Sequence, residues 1–172
     1  GFGRAFSIVG ATNEHAIGAL KIQRCNIVSN GYILKTDGSS VINGFVFRDN
    51  DCGENGYDVG GGIDACVAGG VFEGNVMESC RNTIRLYGAS RGNVIKGNYF
   101  EDPRGQAAVL LSDSTEFDIG PNYYFSIASD YKVYLAYCRG GACRDPWMGP
   151  MNYFVAPCNG LVSANAANKV PA

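Results

Sequence analysis

The feature that most constrains this chain is an internal repeat of short apolar segments. Five segments share one pattern: Ile22-Gln-Arg-Cys-Asn-Ile27, Ile42-Asn-Gly-Phe-Val-Phe47, Phe72-Glu-Gly-Asn-Val-Met77, Ile95-Lys-Gly-Asn-Tyr-Phe100 and Ile119-Gly-Pro-Asn-Tyr-Tyr124. Each has an apolar residue, two variable positions often ending in Gly, then Asn (or Cys or Phe), one free position and a large apolar residue. A second series lies between them, centred on Ile33, Ile63, Ile84, Val109 and Val133. Both series are short, β-branched or aromatic, and bounded by Gly, Asn, Asp and Ser, the composition of strands and tight turns. Two strands per repeat of about 20–30 residues leave no room for crossover helices, which parallel strands otherwise need. Stacking each repeat on the next satisfies both series, with like positions about 4.8 Å apart. The expected fold is all-β: a right-handed, single-stranded parallel β-helix of about five rungs.

Composition agrees. The 172 residues include 24 Gly and 15 Asn but only 7 Leu, the reverse of a helical bundle. In strict alternation, the first residue of each segment and the residue three later would face opposite sides. Both face inward if the chain bends between them, at Gly44, Gly74, Gly97 or Pro121. Asn75, Asn98 and Asn122 then form a buried amide ladder, a structural role, because an isolated buried amide would be costly. The formal net charge of −2 gives no reason to expect nucleic acid as a partner. No apolar run reaches the roughly 20 residues that span a bilayer, so no membrane insertion is expected.

The rhythm stops after Leu135. Residues 1–137 are expected to form the rungs. Residues 138–172, with four of the six Pro, the only Trp (Trp147) and Cys138, Cys143 and Cys158, would form an irregular C-terminal cap. One disulfide in that tail is expected if the compartment is oxidising, and the cysteines do not themselves fix the location. The other four cysteines read as small buried hydrophobes.

Outward columns hold the candidate chemistry. Leu34, Asp64, Arg85, Leu110 and Tyr134 fall in one column; Asp64 and Arg85 on adjacent rungs read as an exposed ion pair or, with Tyr87, Leu110 and Tyr134, as a polar patch suited to a sugar. Arg48, Glu78, Glu101 and Phe125 fall in another. Glu78 and Glu101 one rung apart approach the 5–5.5 Å spacing of retaining glycosidases, with Arg48 placed to stabilise the charged member. Carboxylates that close would divide acid and nucleophile roles. Val46, Val76, Tyr99 and Tyr123 make an apolar column that needs cover from a subunit, a loop or a sugar ring. Glu73 stands over Lys96. The loop from Asp49 to Asp58 reads as a plain solvated loop, with a groove wall as the alternative, and Asp49 and Asp51 are candidate calcium ligands, although Gly60 stands where an EF-hand has its last Glu. His15 has no Ser or Cys partner at a recognisable spacing, and no other cofactor is expected.

The stretch Ala65 to Asp102, with Gly74-Asn75, Asn82-Thr-Ile-Arg-Leu86 and Asn93-Val-Ile-Lys-Gly-Asn98, resembles the repeat of the right-handed parallel β-helix proteins of the pectate-lyase-like superfamily. The resemblance covers roughly residues 19–136. The Asn-Thr-Asp, Asp-Asp, Gly-His-Gly and Arg-Ile-Lys signatures of polygalacturonase-like hydrolases are missing. So is the Asp-Pro-His-Glu signature of alginate epimerases. Phage tailspikes suit the remaining features best, with the chain a segment of a larger protein that starts inside a β-helix. The resemblance implies a homotrimer at an extracellular or virion surface that binds a cell-surface polysaccharide, with hydrolysis by paired carboxylates as its enzymatic form. Two alternatives stand beside it. One is a secreted lyase acting on uronate-containing glycans, with Arg85 or Lys96 stabilising the enolate. The other is a non-catalytic virion or surface fibre.

Overall fold

The computed structural model describes residues 4–8, 17–28, 31–37, 40–55, 61–126, 129 and 131–144, together with the backbone of Tyr153–Val155 and Asn159–Ser163. Among the described residues every regular element is a strand, and every strand pairing is parallel. The chain winds as a β-solenoid of about five turns whose sides are three parallel sheets. The first sheet contains Phe6–Ile8, Tyr32–Thr36, Gly61–Ala68, Ile84–Leu86, Ala107–Ser112, Tyr131–Ala136 and Tyr153–Val155. The second runs through Lys21–Gln23, Val46–Arg48, Val71–Glu73, Val94–Lys96, Asp118–Ile119, Arg139–Cys143 and Asn159–Ser163. The third contains Asn26–Val28, Asp51–Gly53, Val76–Glu78, Tyr99–Glu101 and Tyr123–Phe125. Backbone pairing thus continues past residue 137: Arg139–Cys143 joins Asp118–Ile119, and Tyr153–Val155 joins Val133–Leu135. Cys138 and Cys143 are buried inward positions of this continuation, while Trp147 and Cys158 lie outside the described residues.

The interior is a set of stacked columns. Ile22, Phe47, Phe72, Ile95 and Ile119 fill one; Ile27, Cys52, Met77, Phe100 and Tyr124 fill the next. Leu34, Ile63, Ile84, Val109 and Val133 fill a third. All are buried except Tyr124, which is partly so. Phe45 meets Phe72 edge to face at 5.4 Å between centroids, a geometry that adds about 0.5–1.5 kcal/mol to the area each ring removes from water. Burial pushes the Cys52 thiol upward and the Cys80 thiol to about 11, so both stay protonated hydrophobes.

The amide ladder is present and longer than expected. Asn50, Asn75, Asn98 and Asn122 stack at intervals of 25, 23 and 24 residues. The Asn75 carbonyl oxygen accepts from the Asn50 backbone N–H and from Asn50 Nδ2, both at 3.0 Å. Asn75 Nδ2 in turn donates to the Phe47 carbonyl and to Asn98 Oδ1, both at 2.9 Å. Each amide thereby satisfies itself and a backbone group one rung away, which makes a buried polar row tolerable.

The rung that contains Ile42 differs from the sequence reading by five residues. Phe72 stands over Phe47, not Ile42, and Asn75 over Asn50, not Phe45. The cause is a five-residue unit inside each rung. Positive φ recurs at Gly44, Asp49 and Glu54, at Gly69, Gly74 and Ser79, and at Gly92, Gly97 and Asp102. An inward residue follows every such bend, so one rung contains several near-copies of the motif. Gly74 shows why the bend is selective: its φ is +67°, and a Cβ there would lie 2.7 Å from Asp49 Oδ1.

Candidate functional site

The third sheet presents the most unusual outer face. Its three-residue strands turn the central side chain inward, so the two flanking residues point outward. One flank reads Asn26, Asp51, Val76, Tyr99, Tyr123; the other reads Val28, Gly53, Glu78, Glu101, Phe125. The Tyr99 and Tyr123 rings are stacked, 5.3 Å apart and 8° from parallel. Tyr123 and Phe125 are each 50% exposed, an apolar surface beside two carboxylates.

Glu78 and Glu101 are register partners, one strand spacing of about 4.8 Å apart along the backbone. Tyr99 Oη donates to Glu101 Oε2 at 2.7 Å. That bond, with burial and the neighbouring charge as lesser causes, pushes the Tyr99 phenol up to about 12. The Glu78 carboxylate is exposed and has no hydrogen-bond or ion-pair partner among the described residues. Like charges directly opposite on a sheet are destabilising. Among the described residues no cation is ion-paired with either: the position on the other side of Glu78 is Gly53, not Arg48.

Arg48 lies on the second sheet, in the column Gln23, Arg48, Glu73, Lys96. Its Nη2 is 2.6 Å from Glu73 Oε2, and Lys96 Nζ is 3.4 Å from Glu73 Oε1. The expected Glu73–Lys96 pair is therefore real, with Arg48 as its third member. Val46 likewise belongs to the second sheet, beside Lys21, Val71 and Val94. Both displacements follow from the five-residue slip.

A second cluster lies on the first sheet. Lys35, Asp64 and Arg85 occupy three successive rungs in register, followed by Leu110 and Tyr134. Leu34 points inward instead, one residue from its expected column, because the run Tyr32-Ile-Leu34 has no alternation to fix its phase. Asp64 is buried; Lys35 Nζ donates to its Oδ2 at 3.1 Å, and Arg85 Nη1 is 3.7 Å from Oδ1. Lys35 also sits 4.2 Å from the centre of the Tyr32 ring, and the Arg85 guanidinium 5.8 Å from that of Tyr87. The Lys35 amine is held above its ordinary value: burial acts downward, but hydrogen bonds to Tyr32 and Asp64 outweigh it. Burial raises the Tyr87 phenol, opposed by hydrogen bonding with Thr36.

Of the sequence-derived candidates, the structure brings together Glu78 with Glu101 and Asp64 with Arg85 and Tyr87. Tyr134 lies two rungs further along the column of Arg85, and Arg48 is separate from both groups. Tyr32 and Lys35 escaped sequence reasoning, and only the correct phase of Tyr32–Thr36 would have revealed them. Among the described residues, no three His, Cys, Asp or Glu side chains are arranged to hold a metal ion. Asp51 belongs to the third-sheet column and Asp49 to a bend, and Asp58 lies outside the described residues, as does His15. Comparison with models of protein families and with curated protein sequences gives no match.

Proposed function

We propose that this chain is a polysaccharide-binding β-helix module and that the outer face of the third sheet holds the saccharide. One observation supports this reading above others: the in-register Glu78–Glu101 pair, with no ion-paired cation among the described residues, beside the Tyr99–Tyr123 stack, whose Tyr123 ring is half exposed. Aromatic faces pack against the apolar faces of sugar rings, and carboxylates accept hydrogen bonds from their hydroxyls. A like-charge pair that weakens a sheet is the kind of local cost that functional sites retain. In the enzymatic form of the proposal, Glu78 and Glu101 serve as the carboxylate pair of a retaining glycoside hydrolase. One protonates the leaving oxygen, and the other attacks the anomeric carbon. The tailspike-like setting, a homotrimer at an extracellular or virion surface, belongs to the same proposal.

The test is incubation with a panel of capsular and lipopolysaccharide glycans. Hydrolysis releases reducing ends without ultraviolet-absorbing product, whereas a lyase creates a conjugated double bond. Reducing ends that vanish in Glu78→Gln support the proposal. No product, together with glycan binding unchanged in Glu78→Gln, removes these residues from function. A second reading rests on Val28, Tyr123 and Phe125, each at least half exposed on this one sheet: the face is a subunit contact of a non-catalytic fibre. Native mass measurement tests the fibre contact, since a monomer contradicts it; the glycan panel separates the two readings, since the fibre reading expects neither product nor binding.

A further inference from the structure

The ladder on the first sheet is charged differently from the third. Lys35, Asp64 and Arg85 set two cations around one carboxylate, a local excess of positive charge on a chain of formal net charge −2. Asp64 is 6% exposed, and its Oδ1 is buried without a hydrogen-bond partner. Its Oδ2 is taken by Lys35. The buried carboxylate therefore fixes Lys35 closely and holds Arg85 only by charge, at 3.7 Å. Arg85 makes no side-chain hydrogen bond among the described residues, and its side chain is 45% exposed. A guanidinium has five donors in a planar fork that matches an oxyanion in two-point contact. Here that fork is aimed by a buried anion, flanked by the Tyr87 ring, and left with donors to give.

We propose that the outer face of the first sheet is a second binding site, taking the acid group of an acidic saccharide. Arg85 binds the oxyanion in a two-point contact, Lys35 adds charge two rungs away on the far side of Asp64, and Asp64 positions both. The tyrosines select a sugar acid over a bare anion. Tyr87 lies beside Arg85, and Tyr131 and Tyr134, 5.8 Å apart between ring centres, stand two rungs along the same sheet. Two strand spacings, about 10 Å, separate Arg85 from Tyr134 along the ladder. That distance lets one short oligosaccharide place its acid on the arginine and a ring face on the tyrosine. A polyanion such as nucleic acid fits less well, because two cations, one already bound to Asp64, are too few for a phosphate track. The site is on a different sheet from Glu78 and Glu101, so it stands or falls independently of the third-sheet proposal.

The experiment follows the tyrosine ring signals of the whole chain by nuclear magnetic resonance during titration with glucuronate, glucose 6-sulfate, glucose and inorganic sulfate. The expected result is saturable movement of the Tyr87 signals with glucuronate or glucose 6-sulfate, the two acids telling carboxylate from sulfate. Glucose and inorganic sulfate should bind at least tenfold more weakly. Arg85→Gln should weaken the sugar acid at least tenfold, and Arg85→Lys should restore part of it, with circular dichroism showing that each variant folds. Equal response to glucose and glucuronate overturns the proposal, as does equal response to inorganic sulfate. So does an Arg85→Gln protein that folds and binds the acids as before.

Discussion

The second and third sheets are neighbouring sides of one coil, yet they treat charge in opposite ways. On the second, Arg48, Glu73 and Lys96 alternate in sign from rung to rung, and every member is paired. On the third, Glu78 and Glu101 carry the same sign in register, and among the described residues only a tyrosine hydroxyl answers one of them. The backbone spacing is common to both, so the difference lies in the side chains alone. A parallel β-helix copies each choice onto the next rung. An alternating column thus becomes a continuous ion ladder, and a repeated carboxylate becomes a concentrated negative edge. The second sheet is a surface arranged for stability, while the third tolerates repulsion beside exposed aromatic rings.

That contrast is meaningful only if the interior beneath both sheets is equally well built, and the largest predicted effect tests this. Asn98→Ala removes a carboxamide that accepts from Asn75 and donates to Phe72 and Asn122. With buried partners left unsatisfied, denaturant unfolding should show a loss of about 2–4 kcal/mol. A loss below about 0.5 kcal/mol would mean that the ladder is not the support described. On the second sheet, Glu73→Gln should cost up to about 1 kcal/mol, because these pairs are partly exposed, and added salt should narrow the gap to the unsubstituted protein.

On the third sheet the sign should reverse. Glu78→Gln should raise stability by about 0.2–1 kcal/mol, with the gain shrinking in high salt, while glycan binding falls. A destabilised Glu78→Gln protein would mean that the carboxylate has a partner this account lacks. The smallest effect concerns Tyr99, whose folded pKa is raised to about 12 from an ordinary 10. A raised value stabilises the fold fully below pH 10, and that contribution is lost as the pH climbs through about 12. Tyrosinate absorbance should show a late-titrating phenol near pH 12 that disappears in Tyr99→Phe while the raised Tyr87 phenol remains, and that variant should lack the corresponding pH dependence of stability.

Much of this fold was legible in the sequence, for a physical reason. Stacked rungs impose one burial pattern per turn, so Phe72, Ile95 and Ile119 announce a column, as do Asn75, Asn98 and Asn122. The Glu78–Glu101 and Asp64–Arg85 neighbours follow from the same rhythm. What misled was the finer period: bends five residues apart made Ile42–Phe47 resemble the unit that begins at Phe47. That slip moved Arg48 and Val46 onto the wrong sheet and hid Asn50, which the 25-residue spacing to Asn75 would have revealed. At Tyr32–Thr36 two adjacent buried residues, Ile33 and Leu34, erased the alternation, and Lys35 was missed as the partner of Asp64. Binding chemistry was less legible than register, because an outward side chain is constrained by its ligand and not by the stacking.

The central claim is that the third sheet, and not the second, faces the saccharide. Hydroxyl-radical footprinting of the whole chain, with and without a saturating glycan identified from the panel, tests it most directly. Tyr123 and Phe125, each half exposed in the free protein, should be protected when the glycan is bound, while Val46, Val71 and Val94 on the second sheet keep their reactivity. Protection confined to the second sheet, or a bound glycan that leaves Tyr123 and Phe125 as reactive as before, would contradict the account.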